Sequence, residues 1–400
     1  MSLMVVIWIR FLSYCAISVL LKETKDVRSD NSQQPCCSIT TASELPSASA
    51  DAAGDRDSSV CSVRRGLMAA ACVAFVHRIA SPRLAGAAEQ APTAVVIDKT
   101  FNVKGDGQSN DRANLQRAID QSVGKTLLLT GASRIDASGL QLRNGSHLRF
   151  EPGASLTLLP HNQAAYQMLR IWDVRDVVVE GAVLNGSKEL NGARNDPDRD
   201  GYGMGISIAG SSNVTLISPT TIGCWGDGIY IANSYERKGQ VSSHITVRDH
   251  LASDCRRQGV SLISGSNILF ERPVWQKIGG TMPSAGLDIE PNSNLDLLDN
   301  IRIVDPVTRR CRTGILMYLQ ALPGVRPKTV SIEITGHRDE LSAVAPLNIS
   351  GLELEGNVVT GTIRVNSSTW VSSRVPRMRS ENYDAARGPK IIMEGLKIIS

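Results

Sequence analysis

The sequence predicts an all-β solenoid of short stacked rungs, and three observations carry that expectation. Glycine is abundant (34 of 400 residues) and aromatics are scarce at 4%, while helix-period segments are few; this favours many short strands joined by Gly, Asn, Asp and Ser turns. From about residue 125 short β-rich runs recur behind polar or Asn-led turns: "SHLRF" (146), "RDVVVEG" (175), "SNVTLIS" (212), "SHITVRD" (243), "SNILFER" (266) and "DNIRIVD" (299). A second class interleaves with them, each run led by glycine: "GISIAG" (205), "GIYIAN" (228), "GVSLISG" (259), "GLDIEPN" (286) and "GILMYLQ" (314). Two strand classes alternating at one variable period imply stacked coils.

Taken in chain order, residues 1–60 read as a disordered or upstream leader. Residues 4 to 21 are apolar but broken by Arg10, and the polar stretch after them lacks periodicity. Residues 61–90 carry paired Arg64 and Arg65, an apolar core interrupted by His77 and Arg78, and Ala85-Gly86-Ala87 as a small-residue cleavage site. This segment resembles a twin-arginine export signal and implies an exported, periplasmic or extracellular protein. Neither apolar run is expected to form a stable membrane span.

The solenoid is expected over 97–400. In each Gly-led strand the residues one and three after the glycine are apolar: Ile206 and Ile208, Ile229 and Ile231, Val260 and Leu262, Leu287 and Ile289, Ile315 and Met317. That period of two points one column inward and leaves the glycine+2 and glycine+4 positions facing out, in ladders repeating about every 4.8 Å. Cys224 and Cys255 lie four residues before their rung glycines and Cys311 three before, so the three should stack as buried thiols, with a Cys224–Cys255 disulfide as the alternative. The tail from about 371 reads as an irregular loop before a last strand pair, "KIIMEGLKIIS".

The segment "FNVKGDGQSNDRANLQRAIDQSVGKTLLL" (101 to 129) adds a resemblance. It looks like the N-terminal cap of right-handed parallel β-helix proteins of the pectate lyase and polygalacturonase-like superfamily, in which a "GDG.(S/T)(N/D)D" turn precedes an amphipathic helix. The resemblance implies a right-handed parallel β-helix with an N-terminal capping helix whose apolar face is Leu115, Ala118 and Ile119, and it implies polysaccharide chemistry. A polygalacturonase carries a paired "DD", then "GHG", then "R.K" on successive rungs. Here the corresponding places read "GDG" at 226, "RQG" at 257 and "LDIE" at 287, so only Asp227 matches.

The outward residues supply the candidate chemistry. Asp288 and Glu290 occupy the glycine+2 and glycine+4 positions of one strand, with β-carbons expected about 6 to 7 Å apart, near the carboxyl spacing of inverting glycosidases. Asp227 lies two rungs away, roughly 10 Å along the axis. These three are the candidate catalytic residues. Arg256 and Arg257 are candidates to clamp an anionic sugar, or to pair internally with Asp254 or Asp288. Tyr202, Trp225, Tyr230, Trp275 and Tyr318 are candidate sugar-stacking aromatics on or near the groove side.

Asp196, Asp198 and Asp200 before Gly201 form the first half of a calcium loop, but Ser207 stands where the closing glutamate should be. Calcium is thus an optional ligand, and no cofactor is required. A net charge of +4 without a basic, aromatic-interleaved stripe excludes a nucleic-acid function. The expected function is a monomeric glycoside hydrolase on an acidic, uronate-containing polysaccharide. The alternatives are a lyase or epimerase acting by proton abstraction at C5, and a non-catalytic carbohydrate-binding surface solenoid.

Overall fold

The computed structural model describes residues 94–163, 165–191, 202–351, 358–371, 378–379 and 383–399. The leader, the export-signal-like segment and the Asp196–Asp198–Asp200 loop lie outside the described residues. The chain is a right-handed parallel β-helix: three sheets of eleven, eleven and nine strands, every pairing parallel and every neighbour one coil away in sequence. No helix among the described residues is long and apolar enough to cross a membrane.

The entry to the coil follows from its carboxylates. Asp106 accepts the Gln108 and Ser109 amides at 2.9 and 2.7 Å, which folds the "GDG" turn and holds its carboxyl down at about 2. Asp111 accepts the Lys104 and Gly105 amides, both at 2.8 Å, and so anchors the start of helix α1 (Arg112–Gln121). The helix buries Leu115, Ala118 and Ile119 in the common core.

The polar residues that lead the first-sheet strands have a backbone role. Asp176, Asn213, His244, Asn267 and Asn300 all adopt left-handed conformations with φ between 49° and 59°. Asn and Asp tolerate that region better than most side chains, which explains why turns at this corner begin with them. They also stack: Asn213 donates to Asp176 at 2.6 Å and Asn300 to Asn267 at 2.7 Å.

The third sheet carries the face of interest. Its relevant strands are β1 (Ala165–Trp172), β2 (Tyr202–Ala209), β3 (Asp227–Ala232), β4 (Gln258–Leu262), β5 (Ala285–Ile289), β6 (Thr313–Tyr318) and β7 (Ala345–Ser350). Its inner column, Leu169, Ile206, Ile229, Val260, Leu287, Ile315 and Leu347, is in continuous register and fully buried. Each such side chain contributes about 1.5–3 kcal/mol relative to exposure, and the column aligns every rung.

The rung glycines are required by space. A β-carbon on Gly228 would lie 2.6 Å from the Gly259 carbonyl oxygen and 2.4 Å from Thr221 Oγ1; one on Gly259 would lie 2.4 Å from the Gly286 carbonyl oxygen. Cys224, Cys255 and Cys311 are buried free thiols, as the stacked-column expectation required. Beside them His250 accepts from Trp275 Nε1 at 3.3 Å and faces Thr221 Oγ1 at 2.9 Å, with burial pushing its imidazole down to about 3. Trp275 therefore is not a groove aromatic. It lies in the strand Val274–Gln276 of the second sheet, whose middle residue points inward, and is fully buried in the core.

Candidate functional site

Strands β3, β4 and β5 bring the three candidate carboxylates onto the outer face around one arginine. Asp227 opens β3 one residue before its glycine, Arg257 and Gln258 stand at the same corner of the next rung, and Asp288 and Glu290 belong to the rung after that. Arg257 reaches Asp227 Oδ2 through Nη1 at 3.3 Å and Glu290 Oε2 through Nη2 at 3.5 Å. Its side chain is 19% exposed and that of Glu290 29%, whereas Asp227 and Asp288 are fully buried.

Two neutral side chains complete the arrangement. Ser261 Oγ donates to Asp227 Oδ2 at 3.0 Å from the outer position of β4. Gln258 accepts the Ala285 amide through Oε1 at 2.6 Å and donates through Nε2 to Asp288 Oδ2 at 2.7 Å. The second oxygens of both buried aspartates, Asp227 Oδ1 and Asp288 Oδ1, accept no hydrogen bond among the described residues. A buried carboxylate oxygen without a donor is costly when charged, so both groups are driven toward the protonated form.

The electrostatics separate the two. Burial raises Asp227 to about 6, against the pull of Arg257 and the Ser261 hydroxyl. Burial also raises Asp288, well above the carboxylate range, reinforced by the adjacent Glu290 carboxylate; Arg257 only partly opposes this. Arg257 is held protonated: burial acts to lower it, but Asp227, Asp288 and Glu290 outweigh that effect.

The remaining sequence candidates flank this centre. The Arg256 guanidinium lies 4.1 Å over the ring of Trp225, and the Trp225 amide donates to Tyr166 Oη at 2.9 Å. Tyr230 is nearly buried in a small outer cluster with Met204, Ala232 and Ile263, against which Tyr202 packs. Tyr318 stands beside Glu290, with burial and that carboxylate both raising its phenol. Asp254 is paired with Lys188 at 2.7 Å. Among the described residues no cluster of three His, Cys, Asp or Glu side chains is placed to hold a metal ion.

Sequence reasoning missed Gln258, Ser261, Ser207, Trp172 and Tyr235. Ser207 and Ser261 were legible as glycine+2 residues of their rungs, in the same column as Asp288. Trp172 Nε1 donates to Ser207 Oγ at 2.9 Å, and Tyr235 packs edge-on to Trp172 at 5.1 Å between ring centroids. Burial pushes the Tyr235 phenol up to about 12 against the opposing Ser207 hydroxyl, although the residue as a whole is 43% exposed.

Comparison with known proteins agrees with this architecture. A family model described as "Right handed beta helix region" matches residues 133–301. The chain is 21% identical over 325 residues to the uncharacterized protein YclG of Bacillus subtilis (strain 168), covering 74% of this chain and 51% of that one; it thus spans about half of that relative's length. Among solved structures it is similar to a 1,3-alpha-1,4-beta-D-galactose-4-sulfate-3,6-anhydro-D-galactose-2-sulfate 4 galactohydrolase, with TM-score 0.58, 14% identity, and coverage of 78% of this chain and 89% of the other. It is also similar to the endo-xylogalacturonan hydrolase of Aspergillus tubingensis, with TM-score 0.52, 15% identity, and coverage of 76% and 92%. At these identities the likeness is one of fold: the chain shares the right-handed parallel β-helix with these proteins.

Proposed function

We propose that the protein is a glycoside hydrolase acting on an anionic polysaccharide, with the Asp288–Glu290 pair as proton donor and Asp227 as the base that activates water. The observation that carries this reading is the clustering of two buried aspartates and Glu290 around Arg257 in different surroundings: burial and the Glu290 carboxylate raise Asp288 well above the carboxylate range, while Asp227, held by Arg257 and the Ser261 hydroxyl, is raised only to about 6. Paired carboxyls whose environments push their proton affinities apart supply the acid and the base of glycoside hydrolysis.

The proton path uses this chain's own atoms. Gln258 holds Asp288 Oδ2, which leaves Oδ1 to carry the proton and to pass it to the oxygen of the departing sugar. Asp227 Oδ1, free of donors, faces the role of accepting a proton from water, while Ser261 and Arg257 fix Oδ2. Two rungs separate Asp227 and Asp288 by about 10 Å along the axis, with a further lateral offset of three strand positions, since Asp227 is in register with Gln258 and Asp288 with Ser261. The two similar structures add support, since one is a hydrolase of sulfated galactose units and the other of xylogalacturonan. The export-signal-like segment at 61–90 would deliver such an enzyme to the periplasm or the exterior, where polysaccharide is met.

Elimination or epimerisation with an arginine base is disfavoured, because the surrounding carboxylates hold Arg257 protonated. Incubation with polygalacturonate and with sulfated galactans separates the readings. New reducing ends without the ultraviolet absorbance of an unsaturated uronate are expected. Absorbance from the unsaturated product would establish elimination instead, and binding without either product would leave a carbohydrate-binding solenoid.

A further inference from the structure

The two arginines beside the carboxylate cluster are both engaged, Arg257 by Asp227 and Glu290 and Arg256 by the face of Trp225. Recognition of an anionic sugar therefore calls for another cation on the same face. The outer column of the third sheet supplies one: Arg170 pairs in register with Ser207, which pairs with Tyr230 on the rung that Asp227 opens. That places Arg170 two rungs, about 10 Å, from the Asp227 rung.

Arg170 is not alone. Arg112, at the start of α1, donates from Nε to the Gly139 carbonyl at 3.0 Å, and Arg170 donates from Nη2 to the Ser138 carbonyl of the same turn at 2.6 Å. The two guanidiniums are thus tethered side by side, close enough that Arg112 and burial both act to drive the proton from Arg170. Among the described residues neither makes an ion pair with a carboxylate. Asp136 has its oxygens taken by Asn110 Nδ2 and the Ser138 amide, and Arg112 acts on it only through space, helping to lower its carboxyl. Arg170 Nε is buried without a partner, and its guanidinium carbon lies 5.4 Å from the ring centroid of Trp172.

Arginine cannot relieve such repulsion by losing its proton at any physiological pH, so a pair of unpaired guanidiniums is relieved by an anion. A carboxylate or sulfate ester matches the fork geometry, and the partly buried indole of Trp172 offers apolar surface for the sugar ring that bears it. We propose that Arg112, Arg170 and Trp172 form a subsite for the anionic substituent of a sugar, two rungs from the Asp227 carboxylate. This rests on the polysaccharide reading above and assigns the recognition of substrate charge to residues outside the carboxylate cluster.

The test uses galacturonate, galactose 4-sulfate, galactose and inorganic sulfate as probes, titrated calorimetrically into the wild-type protein and into Arg170→Met and Arg112→Gln. At least one charged sugar should bind more tightly than galactose, and whether carboxylate or sulfate is preferred identifies the substituent. Arg170→Met should weaken the preferred charged sugar by about tenfold or more, with Arg112→Gln weakening it less and neither changing galactose. Unchanged affinity in both variants, or charged sugars binding no better than galactose, overturns the subsite. Inorganic sulfate binding as tightly as galactose 4-sulfate overturns the sugar assignment. If no polymer is cut while charged monosaccharides still require Arg170, the hydrolase reading falls and the subsite stands.

Discussion

Along the third sheet the inner column runs Leu169, Ile206, Ile229, Val260, Leu287, Ile315 and Leu347, while the outer column one residue on runs Arg170, Ser207, Tyr230, Ser261, Asp288, Leu316 and Asn348. The strands and the register are the same, yet one face is chemically uniform and the other changes at every rung. Uniformity is what stacking demands, since each inner side chain must fit the ones above and below it. Variation on the outer face has no such origin. Two fully buried aspartates on that face, each with an oxygen lacking any donor, cost stability instead of adding to it.

The largest expected effect sets the outer face against the fold. Asp288→Asn keeps the shape and a partner for Gln258 but removes the acidic proton, so turnover should fall by about 10²–10⁴-fold. Stability should hold or rise, because a buried, poorly satisfied carboxyl is gone. Rates on a cleaved polymer, measured alongside denaturant unfolding, check both. Wild-type turnover would remove Asp288 from the mechanism.

Its inner neighbour should do the reverse. Leu287→Ala, one residue away, should cost about 2–5 kcal/mol in unfolding experiments while the folded fraction keeps its turnover number. A large loss of turnover in a variant that remains folded would mean that the two faces are not separable.

The contrast also explains how much was readable from sequence. The inner ladder is a period-two pattern repeated rung after rung, so the solenoid, the buried cysteine column and the outward placement of Asp288 were all legible. The outer site has no period. That Arg257 bridges Asp227 and Glu290 depends on side-chain reach across two rungs, and Tyr235 arrives from a loop whose path no repeat specifies. Trp275 was misread because a three-residue strand with one inward position gives too short a pattern to tell its faces apart.

Asp227 couples the faces through pH. Its folded value, about 6, lies above the ordinary 3.8, so the folded state binds the extra proton between those values. Its contribution is therefore fully present below about pH 4 and is lost as pH rises through about 6, on the order of 3 kcal/mol in all. Activity should run the opposite way, rising through about pH 6 as Asp227 ionises to serve as base. Asp227→Asn should flatten this part of the pH–stability profile and abolish the acid limb of activity along with turnover. An unchanged stability slope in that variant would show that Asp227 does not titrate there.

The smallest effect probes the hinge between the faces. Gly228 sits between outward Asp227 and inward Ile229, where a β-carbon would meet Thr221 Oγ1 at 2.4 Å, the Gly259 carbonyl at 2.6 Å and Ala252 Cβ at 3.3 Å. Thr221 cannot easily retreat, because its hydroxyl is 2.9 Å from His250 Nε2. Gly228→Ala should accordingly cost about 1–3 kcal/mol by overpacking. Gly279→Ala, with nothing within 4 Å of its added carbon, is the matched control and should cost little. If the rung yields by shifting outward, Gly228→Ala should also displace Asp227 from Arg257 and reduce turnover beyond the stability loss. If it yields inward, turnover per folded molecule is preserved, so the ratio of the two measurements shows which face gives way.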